Sequence, residues 1–495
     1  MDPELRITTT LVYLAFDAAS ALQLQPLRNT NSSDGSLCQF IGDGARNGRA
    51  RPLGGVEHVQ DILNRHLKGD QTLFFGLTID LHDPVDITKL GSSAQECWSW
   101  LRFQVPTIAS SIIGSDHELP VMTYTTASPE EISQWVQRTF IIHSSYIDLD
   151  ELRVNEGMKE VPSSDGDHTW MHLVLGEIAN GAVSQFGLLF HTHHSPFDGA
   201  GLKIIMNCYI IHLVKVLSDS SGASESIEWG NELENLPSSA YSILNSNEPL
   251  PVSPDSPEEP SFDHEYYKSF VSVLSGFGAA AKDTYGFSTR PKDTEWPKTR
   301  RAEAVFTMEE SAAIQSASKI SGYTLTHLAH AALAMVIIAD NPPNQSSSPH
   351  FMNNVSLANF RSQLDPNHAL HPGYVLGVFM TRIPVSAFLS PDGSVLPLDR
   401  DVLLRVAEIA LPPNQCFSFS SEGKGENYLN RIFADDAGKP VLEVTKFFTS
   451  LNRFDPGPRV LFFLLLLFGS RLFCDGIEFG IDDAVFRFFR LSSWG

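Results

Sequence analysis

Three histidines in this sequence are each followed four residues later by an aspartate, so that an imidazole could act as a base near a carboxylate. The three pairs are His66 with Asp70, His82 with Asp86, and His194 with Asp198. An imidazole exchanges its proton near neutral pH, so it can take a proton from a hydroxyl group and return it to a leaving group. The spacing alone is weak evidence, because most such pairs arise by coincidence. We assign the first two pairs to structural roles, since no glycines follow them.

The third pair differs in its surroundings. It lies in the run His193-His194-Ser195-Pro196-Phe197-Asp198-Gly199, with another glycine at 201. Two strands, His168–Ile178 and Ala182–Thr192, are predicted to form a hairpin, because the Asn-Gly pair between them is a strong turn signal. Apolar residues at 202, 206, 209, 213 and 216 predict a helix over Gly199–Leu217, with Asp198 at its N-cap. The motif is therefore expected where a strand meets a helix and a side chain can face a channel.

Composition and charge exclude several classes of function. The chain has 495 residues, 42% of them hydrophobic, which is ordinary for a globular protein with a sizeable core. Asp and Glu number 58 against 35 Lys and Arg, giving a formal charge of −23. Nucleic acids and anionic membranes attract clustered basic side chains, so we expect neither as a partner. A phosphorylated ligand would need a local basic patch.

The cysteines and apolar segments favour a soluble, cytoplasmic protein. The five cysteines lie far apart without a CxxC pair, which is typical of reduced thiols. Asp2 and Glu4 stand where a secretory signal would be positive, so no signal peptide is expected. The longest apolar run, Val460–Phe468, has nine residues, about half of what spans a bilayer. We expect a monomer.

The chain is predicted to contain two α/β lobes joined by a linker. Residues 1–50 are expected to be a partly ordered leader, and residues 51–217 an N-terminal lobe that carries the motif. Residues 218–265 include a Ser-Asp-Ser-Ser-Gly stretch and a Pro-rich acidic stretch, which predict a surface crossover. Residues 266–495 are expected to form the C-terminal lobe, with an atypical sequence after about residue 455.

Residues 193–199 resemble the HHxxxDG signature of a superfamily that includes chloramphenicol acetyltransferase, plant-type BAHD acyltransferases and peptide-synthetase condensation domains. From about residue 50 to residue 450 the chain also resembles fungal O-acetyltransferases of secondary metabolism, especially the trichothecene O-acetyltransferase type. The segments that carry this wider resemblance are Arg51–Glu57, Trp98–Ile108, Trp135, Trp229-Gly230, Leu236-Pro237 and Tyr323–Thr326.

The resemblance implies a fold, a reaction and a set of site residues. In such families two α/β lobes of chloramphenicol-acetyltransferase type, with mixed sheets, enclose a tunnel that acyl-CoA and the acceptor enter from opposite sides. His194 would be the general base that deprotonates the acceptor hydroxyl for attack on the thioester. Asp198 would hold the turn through an ion pair with an arginine, and we expect Arg361 to supply it. His193 would serve packing or positioning, and Gly199 would allow close backbone approach.

The same resemblance implies the substrates. Free acyl-CoA, with acetyl-CoA favoured, is the expected co-substrate, because the chain has no room for carrier or adenylation domains. No bound cofactor and no metal are expected. Lys298, Arg300 and Arg301 form the densest basic cluster in the second half and could meet the CoA phosphates, although a solvated strand edge explains them equally well. Thr449 and Ser450 could supply a hydroxyl to the oxyanion. The expected acceptor is a trichothecene-like terpenoid alcohol.

In the C-terminal lobe, Met308–Ile320 and Thr324–Ala339 are predicted helices, the second almost wholly apolar and therefore buried. The plant-type family has a structural Asp-Phe-Gly-Trp-Gly motif near its C-terminus. Glu478–Asp482 keeps its Phe-Gly and loses the rest.

Other functions compete with acyl transfer. His191 and His193 share one strand face, as zinc ligands do, but a metallo-hydrolase of the H-x-H-x-D-H type would need Asp and His where this chain has Ser195 and Pro196. A serine hydrolase is disfavoured because the chain has no Gly-x-Ser-x-Gly. Three alternatives stay open: a hydrogen-bonded core role for His194, an inactive homologue that binds a small molecule in the tunnel, and a condensation-type enzyme that forms an amide or ester.

Overall fold

A computed structural model of the chain describes residues 5–6, 39–41, 47–53, 57, 60–61, 64–65, 72–113, 120–218, 227–238, 243, 284–287, 305–343, 350–359, 361, 364 and 366–410. They divide into two compact units. The first contains the described residues of Met1–Val252 and Phe360–Val375, and the second those of Ser253–Asn359 and Leu376–Tyr428. Phe360–Val375 thus belongs to the first unit, although it lies between two segments of the second in chain order. The predicted lobe and linker boundaries stay predictions.

The first unit is a mixed α/β structure. Its described strands are β1 Leu5–Arg6, β2 Gln39–Ile41, β3 Gly48–Pro52, β4 Thr72–Asp86, β5 Ser111–Ile113, β6 Val121–Thr125, β7 Phe140–His143, β8 Thr169–Leu175, β9 Ile178–Ala179 and β10 Ala182–His193. The α-helices whose two ends lie in the described residues are α1 Ile87–Gln104, α2 Pro129–Thr139, α3 Leu149–Glu156 and α4 Gly199–Ser218. Short 3-10 helices lie at Pro106–Ala109 and Glu232–Asn235.

The strands form two sheets. The larger has the order β1-β4-β10-β8-β7, with β9 paired to β10, and the smaller has the order β2-β3-β6-β5. In the larger sheet the pairing of β7 with β8 is parallel and the other pairings are antiparallel. The long strand β10 lies between β4 and β8, so the motif at its end is held from both sides.

The predicted hairpin before the motif is present. Asn180 and Gly181 have φ values of 53° and 78°, the left-handed conformations that a two-residue hairpin turn of this kind requires. The first predicted strand is wrong at Gly176 and Glu177, because Ile178 lies in the separate strand β9. The Gly176 N–H donates to the Gln185 carbonyl oxygen over 3.0 Å, and a Cβ at position 176 would lie 2.5 Å from that oxygen. This close approach, beside an irregularity in β10, separates β8 from the short strand β9.

One face of the larger sheet carries the main core of the unit. Trp98 of α1 is fully buried, stacks on Trp135 of α2 at 5.3 Å between ring centroids, and meets Phe190 of β10 edge-on at 5.9 Å. Its indole N–H donates to Thr139 Oγ1 over 3.0 Å, so the polar edge of this large aromatic side chain is satisfied. Helices α1, α2 and α4 all contribute to this cluster, which fixes the direction in which α4 leaves the motif.

Helix α4 is apolar because one of its faces lies in the core. The predicted positions Leu202, Met206, Tyr209 and Leu213 are all buried. Of the helices that the structure describes, α4 alone is long and apolar enough to cross a membrane. Two successive helices of the second unit would qualify together only as one broken span, and they are bent by 96°. Core packing accounts for the composition of α4, since buried helices of soluble proteins have the same composition.

The opposite face of the sheet is covered by α3. Phe74, Leu152, Val174 and Leu189 form a small apolar cluster there. Helix α3 lies close to β10, since a Cβ at Gly187 would be 2.9 Å from the Leu149 side chain. Buried polar side chains from β8 and β10 also lie on this face.

The described residues of the second unit contain an antiparallel pair of strands, three α-helices and a 3-10 helix at Val385–Phe388. The strands are β11 Phe351–Asn359 and β12 Leu376–Pro384, and the α-helices are α5 Met308–Ser321, α6 Leu325–Asp340 and α7 Arg400–Ala410. Both predicted helices are present, and each begins at a capping box, centred on Thr307 for α5 and on Thr324 for α6. The expectation that α6 is buried holds for one face, which includes Ala331 and Ile338. It is wrong for Leu325, which lies in the first turn and is 47% exposed.

Candidate active site

The motif lies in a tight connection between β10, which ends at His193, and α4, which begins at Gly199. Asp198 caps the helix as predicted: its Oδ1 accepts a hydrogen bond from the Gly201 N–H at 2.6 Å, and its carbonyl oxygen accepts one from the Leu202 N–H at 3.0 Å. The strand fixes one end of the motif and the buried helix fixes the other. The five residues between them therefore have little freedom.

His194 is held by its own turn. Its Nδ1 lies 2.9 Å from the Phe197 carbonyl oxygen. A carbonyl oxygen only accepts hydrogen bonds, so Nδ1 carries the proton and donates, and the lone pair of the neutral imidazole is on Nε2. His194 is partly exposed, and the Tyr374 ring lies beside it at 5.5 Å between centroids. The turn thus fixes both the ring and the tautomer that a general base needs.

His193 has the opposite arrangement. Its ring is 1% exposed, and its Nδ1 accepts a hydrogen bond from the Ser195 N–H at 2.9 Å, which leaves the proton of the neutral ring on Nε2. Asp61 Oδ1 lies 4.0 Å from that Nε2. Burial lowers the pKa of His193 well below its usual value, so the ring is neutral at pH 7. The structure therefore gives His193 a packing environment, in line with the sequence analysis, and gives His194 the accessible one.

Asp198 and Arg361 form the ion pair that the sequence analysis expected. Arg361 Nη2 donates to Asp198 Oδ1 at 2.9 Å, and Nη1 donates to Oδ2 at 3.1 Å. Both residues are buried, at 0% exposure for Asp198 and 3% for Arg361. The Val375 N–H donates to Oδ2 at 2.8 Å, so each carboxylate oxygen accepts two hydrogen bonds when the Gly201 N–H is included. Such a fully hydrogen-bonded buried pair is the arrangement in which a buried carboxylate is tolerated.

Arg361 also holds a second segment against the motif. Its Nε donates to the His371 carbonyl oxygen at 2.7 Å, and Nη2 donates to the Gly373 carbonyl oxygen at 2.6 Å. Gly201 lets this segment approach, because a Cβ there would lie 2.1 Å from the Pro372 carbonyl oxygen. Residues 371–375 are thus fixed beside the motif, and they bring Tyr374 to His194.

A short helical stretch near residue 60 supports the motif from another direction. Ser195 Oγ donates to the Glu57 carbonyl oxygen at 2.8 Å, and Glu57 itself forms a bidentate ion pair with Arg51 at 2.6 and 2.7 Å. Gln60 Nε2 donates to the Tyr374 hydroxyl oxygen at 3.3 Å. Arg51 and Glu57, the two ends of a segment that carries the resemblance, therefore help to hold Ser195 of the motif.

Two further histidines in this frame are kept neutral by burial. Burial lowers the pKa of His371 to about 4 and that of His168 to about 4. His371 accepts the Gly373 N–H at Nδ1 over 3.0 Å, while its Nε2 donates to the Ser238 carbonyl oxygen over 2.8 Å. The His168 ring contacts the hydroxyl groups of Ser110 and Thr169, so both imidazoles have structural partners.

Of the remaining candidate residues, the structure describes only a few. His82 is exposed, and Asp86 is the N-cap of α1, which agrees with the structural role assigned to that pair. Gly199 is the first residue of α4, and its role in close backbone approach stays a prediction. The other candidates lie outside the described residues: His66, Asp70, the basic cluster Lys298, Arg300 and Arg301, the oxyanion candidates Thr449 and Ser450, and everything after residue 455.

Sequence reasoning missed the residues that complete the site. The segment 371–375 contacts the motif, and Gln60 contacts Tyr374 of that segment, in both cases across more than 100 positions of sequence. No local pattern marks these residues. The one available signal was the pair of small or rigid residues in His371-Pro372-Gly373-Tyr374, which is typical of a tight turn.

A family model described as "Tri3: 15-O-acetyltransferase Tri3" matches residues 101–375, which are 275 of the 495 residues. The chain belongs to the Tri3 15-O-acetyltransferase family. The matched region contains His194, Asp198, Arg361 and the segment 371–375. The resemblance that the motif indicated is therefore confirmed. Membership of the Tri3 family makes the protein an acetyltransferase of the trichothecene type at the level of the family.

Comparison with solved structures agrees with the Tri3 family. The TRI3 trichothecene 15-O-acetyltransferase from Fusarium sporotrichioides matches with a TM-score of 0.61 at 15% identity, over 84% of this chain and 79% of that one. The first condensation domain of the calcium-dependent antibiotic synthetase matches with a TM-score of 0.47 at 12% identity, over 73% of each chain. No curated protein matches the chain. The predicted fold class, a mixed α/β chloramphenicol-acetyltransferase-like fold with mixed sheets, is confirmed, and the predicted tunnel stays a prediction.

Proposed function

We propose that the protein transfers the acetyl group of acetyl-CoA to a hydroxyl group of a trichothecene-like terpenoid alcohol, with His194 as the general base. The observation that carries this proposal is the hydrogen bond of His194 Nδ1 to the Phe197 carbonyl oxygen, which leaves the lone pair on Nε2 of a partly exposed ring. Membership of the Tri3 family supplies the reaction class.

The reaction follows from that tautomer. His194 Nε2 takes the proton from the acceptor hydroxyl as its oxygen attacks the thioester carbonyl carbon. The tetrahedral intermediate then collapses, the bond from carbon to sulfur breaks, and the imidazolium returns the proton to the departing CoA thiolate. Both proton transfers use one nitrogen, and the imidazole is regenerated at the end of the cycle.

In this proposal Asp198 is a positioning residue. Its carboxylate oxygens accept hydrogen bonds from Arg361 and from two backbone N–H groups, so in this proposal the carboxylate exchanges no proton with the substrate. Its role is to keep the turn closed, because the same turn supplies the Phe197 carbonyl oxygen that orients His194. The ion pair with Arg361 also fixes residues 371–375, and therefore Tyr374 beside the base.

The donor site and the cellular setting belong to the same proposal. Lys298, Arg300 and Arg301 are the residues we assign to the CoA phosphates, because the chain has a strong net negative charge and needs a local basic patch there. Thr449 or Ser450 would donate to the oxyanion. We infer a cytoplasmic monomer that uses acyl-CoA as a co-substrate, needs no bound cofactor for the chemistry, and acts without nucleic acid or a membrane.

Product analysis tests this function. The purified full chain is incubated with acetyl-CoA, and in parallel with longer acyl-CoAs, together with a panel of sesquiterpenoid alcohols. Mass spectrometry should show an acetyl ester of a terpenoid alcohol, with release of one CoA for each ester. Ligand binding without ester formation from any donor would contradict the proposal and would favour the inactive homologue. Amide formation would favour the condensation-type enzyme.

A further inference from the structure

The sheet face covered by α3 brings together three buried side chains with metal-binding atoms. Glu156 is the last residue of α3, His172 lies on β8, and His191 lies on β10. One potential ligand atom from each lies within 4.8 Å of the other two. We propose that Glu156, His172 and His191 bind a divalent transition-metal ion, zinc by preference, in a site that does not include His194. This inference is independent of the proposed acetyl transfer.

The ligand set fits zinc. Two imidazole nitrogens and one carboxylate oxygen are ligands that Zn²⁺ takes at about 2.0–2.2 Å, with a fourth position left for water. Atoms so placed lie about 3–3.5 Å from one another, so small side-chain rotations would close the present spacing around an ion. Neither thiolates nor a full carboxylate shell is present in this group, which disfavours Cu⁺ and Ca²⁺.

His172 provides the observation that points to an ion. Its ring is fully buried, and its Nε2 makes no hydrogen bond within the described residues. That nitrogen faces Glu156 Oε2 across 3.9 Å, which is too long for a hydrogen bond. The other ring nitrogen, Nδ1, lies 3.2 Å from His143 Nε2. With Nδ1–H donating to His143, the lone pair of His172 is on Nε2. Metal-binding histidines are commonly oriented in this way, by a hydrogen bond from the ring nitrogen that does not bind the metal.

Sheet register places the second histidine. His191 pairs with Trp170 across the β10–β8 ladder, so His172, two residues further along β8, is its diagonal neighbour on the same face. The His191 ring is stacked on Phe74 at 4.3 Å between centroids and lies 5.0 Å from the Trp170 ring. These aromatic rings confine the imidazole to one plane beside His172.

Lys159 is the competitor for this site. Its Nζ lies 2.7 Å from Glu156 Oε2, so the ammonium group neutralises the carboxylate in the structure described here. The Lys159 side chain is 60% exposed and can move into solvent when an ion binds. A zinc site on His191 and His193 was disfavoured from the sequence, because Ser195 and Pro196 stand where further ligands would be needed. The structure commits His193 Nδ1 to the Ser195 N–H and places His191 with His172.

Zinc titration of the full-length, chelator-stripped protein by calorimetry tests the proposal. The wild type should bind one equivalent of Zn²⁺. Loss of a residue that only hydrogen-bonds a metal ligand weakens metal binding by about 10–100-fold. Glu156→Gln and His172→Ala, which change the ligands themselves, should each weaken zinc binding at least as much. Lys159→Ala should bind zinc more tightly, because the competing cation is gone. His82→Ala removes an exposed histidine that does not belong to the cluster, so this variant should bind zinc as the wild type does.

Several results would overturn the proposal. These are the absence of zinc binding by the wild type, unchanged binding by Glu156→Gln, or an effect of His82→Ala equal to that of His172→Ala. Zinc K-edge absorption spectroscopy on the loaded wild type does not depend on whether any variant folds. It should show two imidazole ligands, and a shell of oxygen atoms alone would also refute the site. Acetyl transfer by the zinc-free protein is measured separately, so failure of one proposal leaves the other intact.

Discussion

Replacement of Asp198 by asparagine perturbs the ion pair that closes the turn below His194. Asp198 Oδ1 accepts from the Gly201 N–H and Arg361 Nη2, and Oδ2 accepts from Arg361 Nη1 and the Val375 N–H. An asparagine keeps one oxygen and turns the other into an NH₂ group, which cannot accept. Whichever way the amide is oriented, two buried donors lose their acceptor and the guanidinium loses its counter-charge.

The magnitude follows from these contacts. A buried donor left without a partner costs about 1–3 kcal/mol, so two of them cost about 2–6 kcal/mol. Breaking a buried ion pair by removing one partner typically costs about 3–5 kcal/mol, which agrees. We therefore expect Asp198→Asn to lower the free energy of unfolding of the first unit by about 3–5 kcal/mol and to lower turnover because His194 is no longer held.

Urea unfolding followed by tryptophan fluorescence is the assay. Five of the seven tryptophans, those at 98, 100, 135, 170 and 229, fall in the first unit, so the signal reports mainly on it. Asp86→Asn is the matched control, since Asp86 is an exposed helix cap and asparagine caps as well as aspartate. The control should change stability by less than about 0.5 kcal/mol. An unchanged midpoint for Asp198→Asn together with full turnover would refute the role given to the pair.

Two further predictions concern the segment held by Arg361. Gly201→Ala should destabilise the first unit by about 1–3 kcal/mol, because its Cβ would meet the Pro372 carbonyl oxygen at 2.1 Å. Gly76→Ala in the same unit should cost less, because its Cβ would make only ordinary contacts at 3.5 Å or more. Urea midpoints measure both costs, and equal costs would contradict the close approach. Burial holds the pKa of His371 at about 4, below the usual 6.5, so its contribution to stability is present above pH 6.5 and is lost as the pH falls toward 4. This contribution amounts to about 3 kcal/mol, and His371→Gln should flatten the pH dependence of the urea midpoint in that window; an unchanged slope would contradict it.

Local signals in the sequence predicted the parts of the structure that local forces decide. The Asn180-Gly181 pair predicted the hairpin because only a few residue types adopt positive φ at low cost. The apolar stripe after Gly199 predicted α4 because a helix in a core must bury one face. The predicted strand before the hairpin was interrupted at Gly176, where the backbone closely approaches Gln185 on the other strand. The apolar pattern of the first strand does not reveal this contact, because it depends on a residue of the second.

Contacts between distant segments were the limit of that reasoning. Arg361 was identified through the resemblance, which supplied the need for an arginine, and the structure places it on Asp198. The segment 371–375 and Gln60 had no such guide. The cluster of Glu156, His172 and His191 depends on the register between β8 and β10 and on where α3 ends, which spacing along one strand cannot show. Spacing along β10 shows only that His191 and His193 share a strand face, and the structure gives them different partners.

We propose that His194 is the general base of acetyl transfer. Turnover of the His194→Ala variant with acetyl-CoA and the best acceptor from the alcohol panel tests this role most directly. Removal of a positioned general base should lower kcat by about 10²–10⁴-fold, while folding and acetyl-CoA binding are retained. His193→Ala should lower kcat less, because the buried His193 ring is bonded to the Ser195 N–H and faces no substrate in this account. A His194→Ala variant that turns over at the rate of the wild type would contradict the assignment.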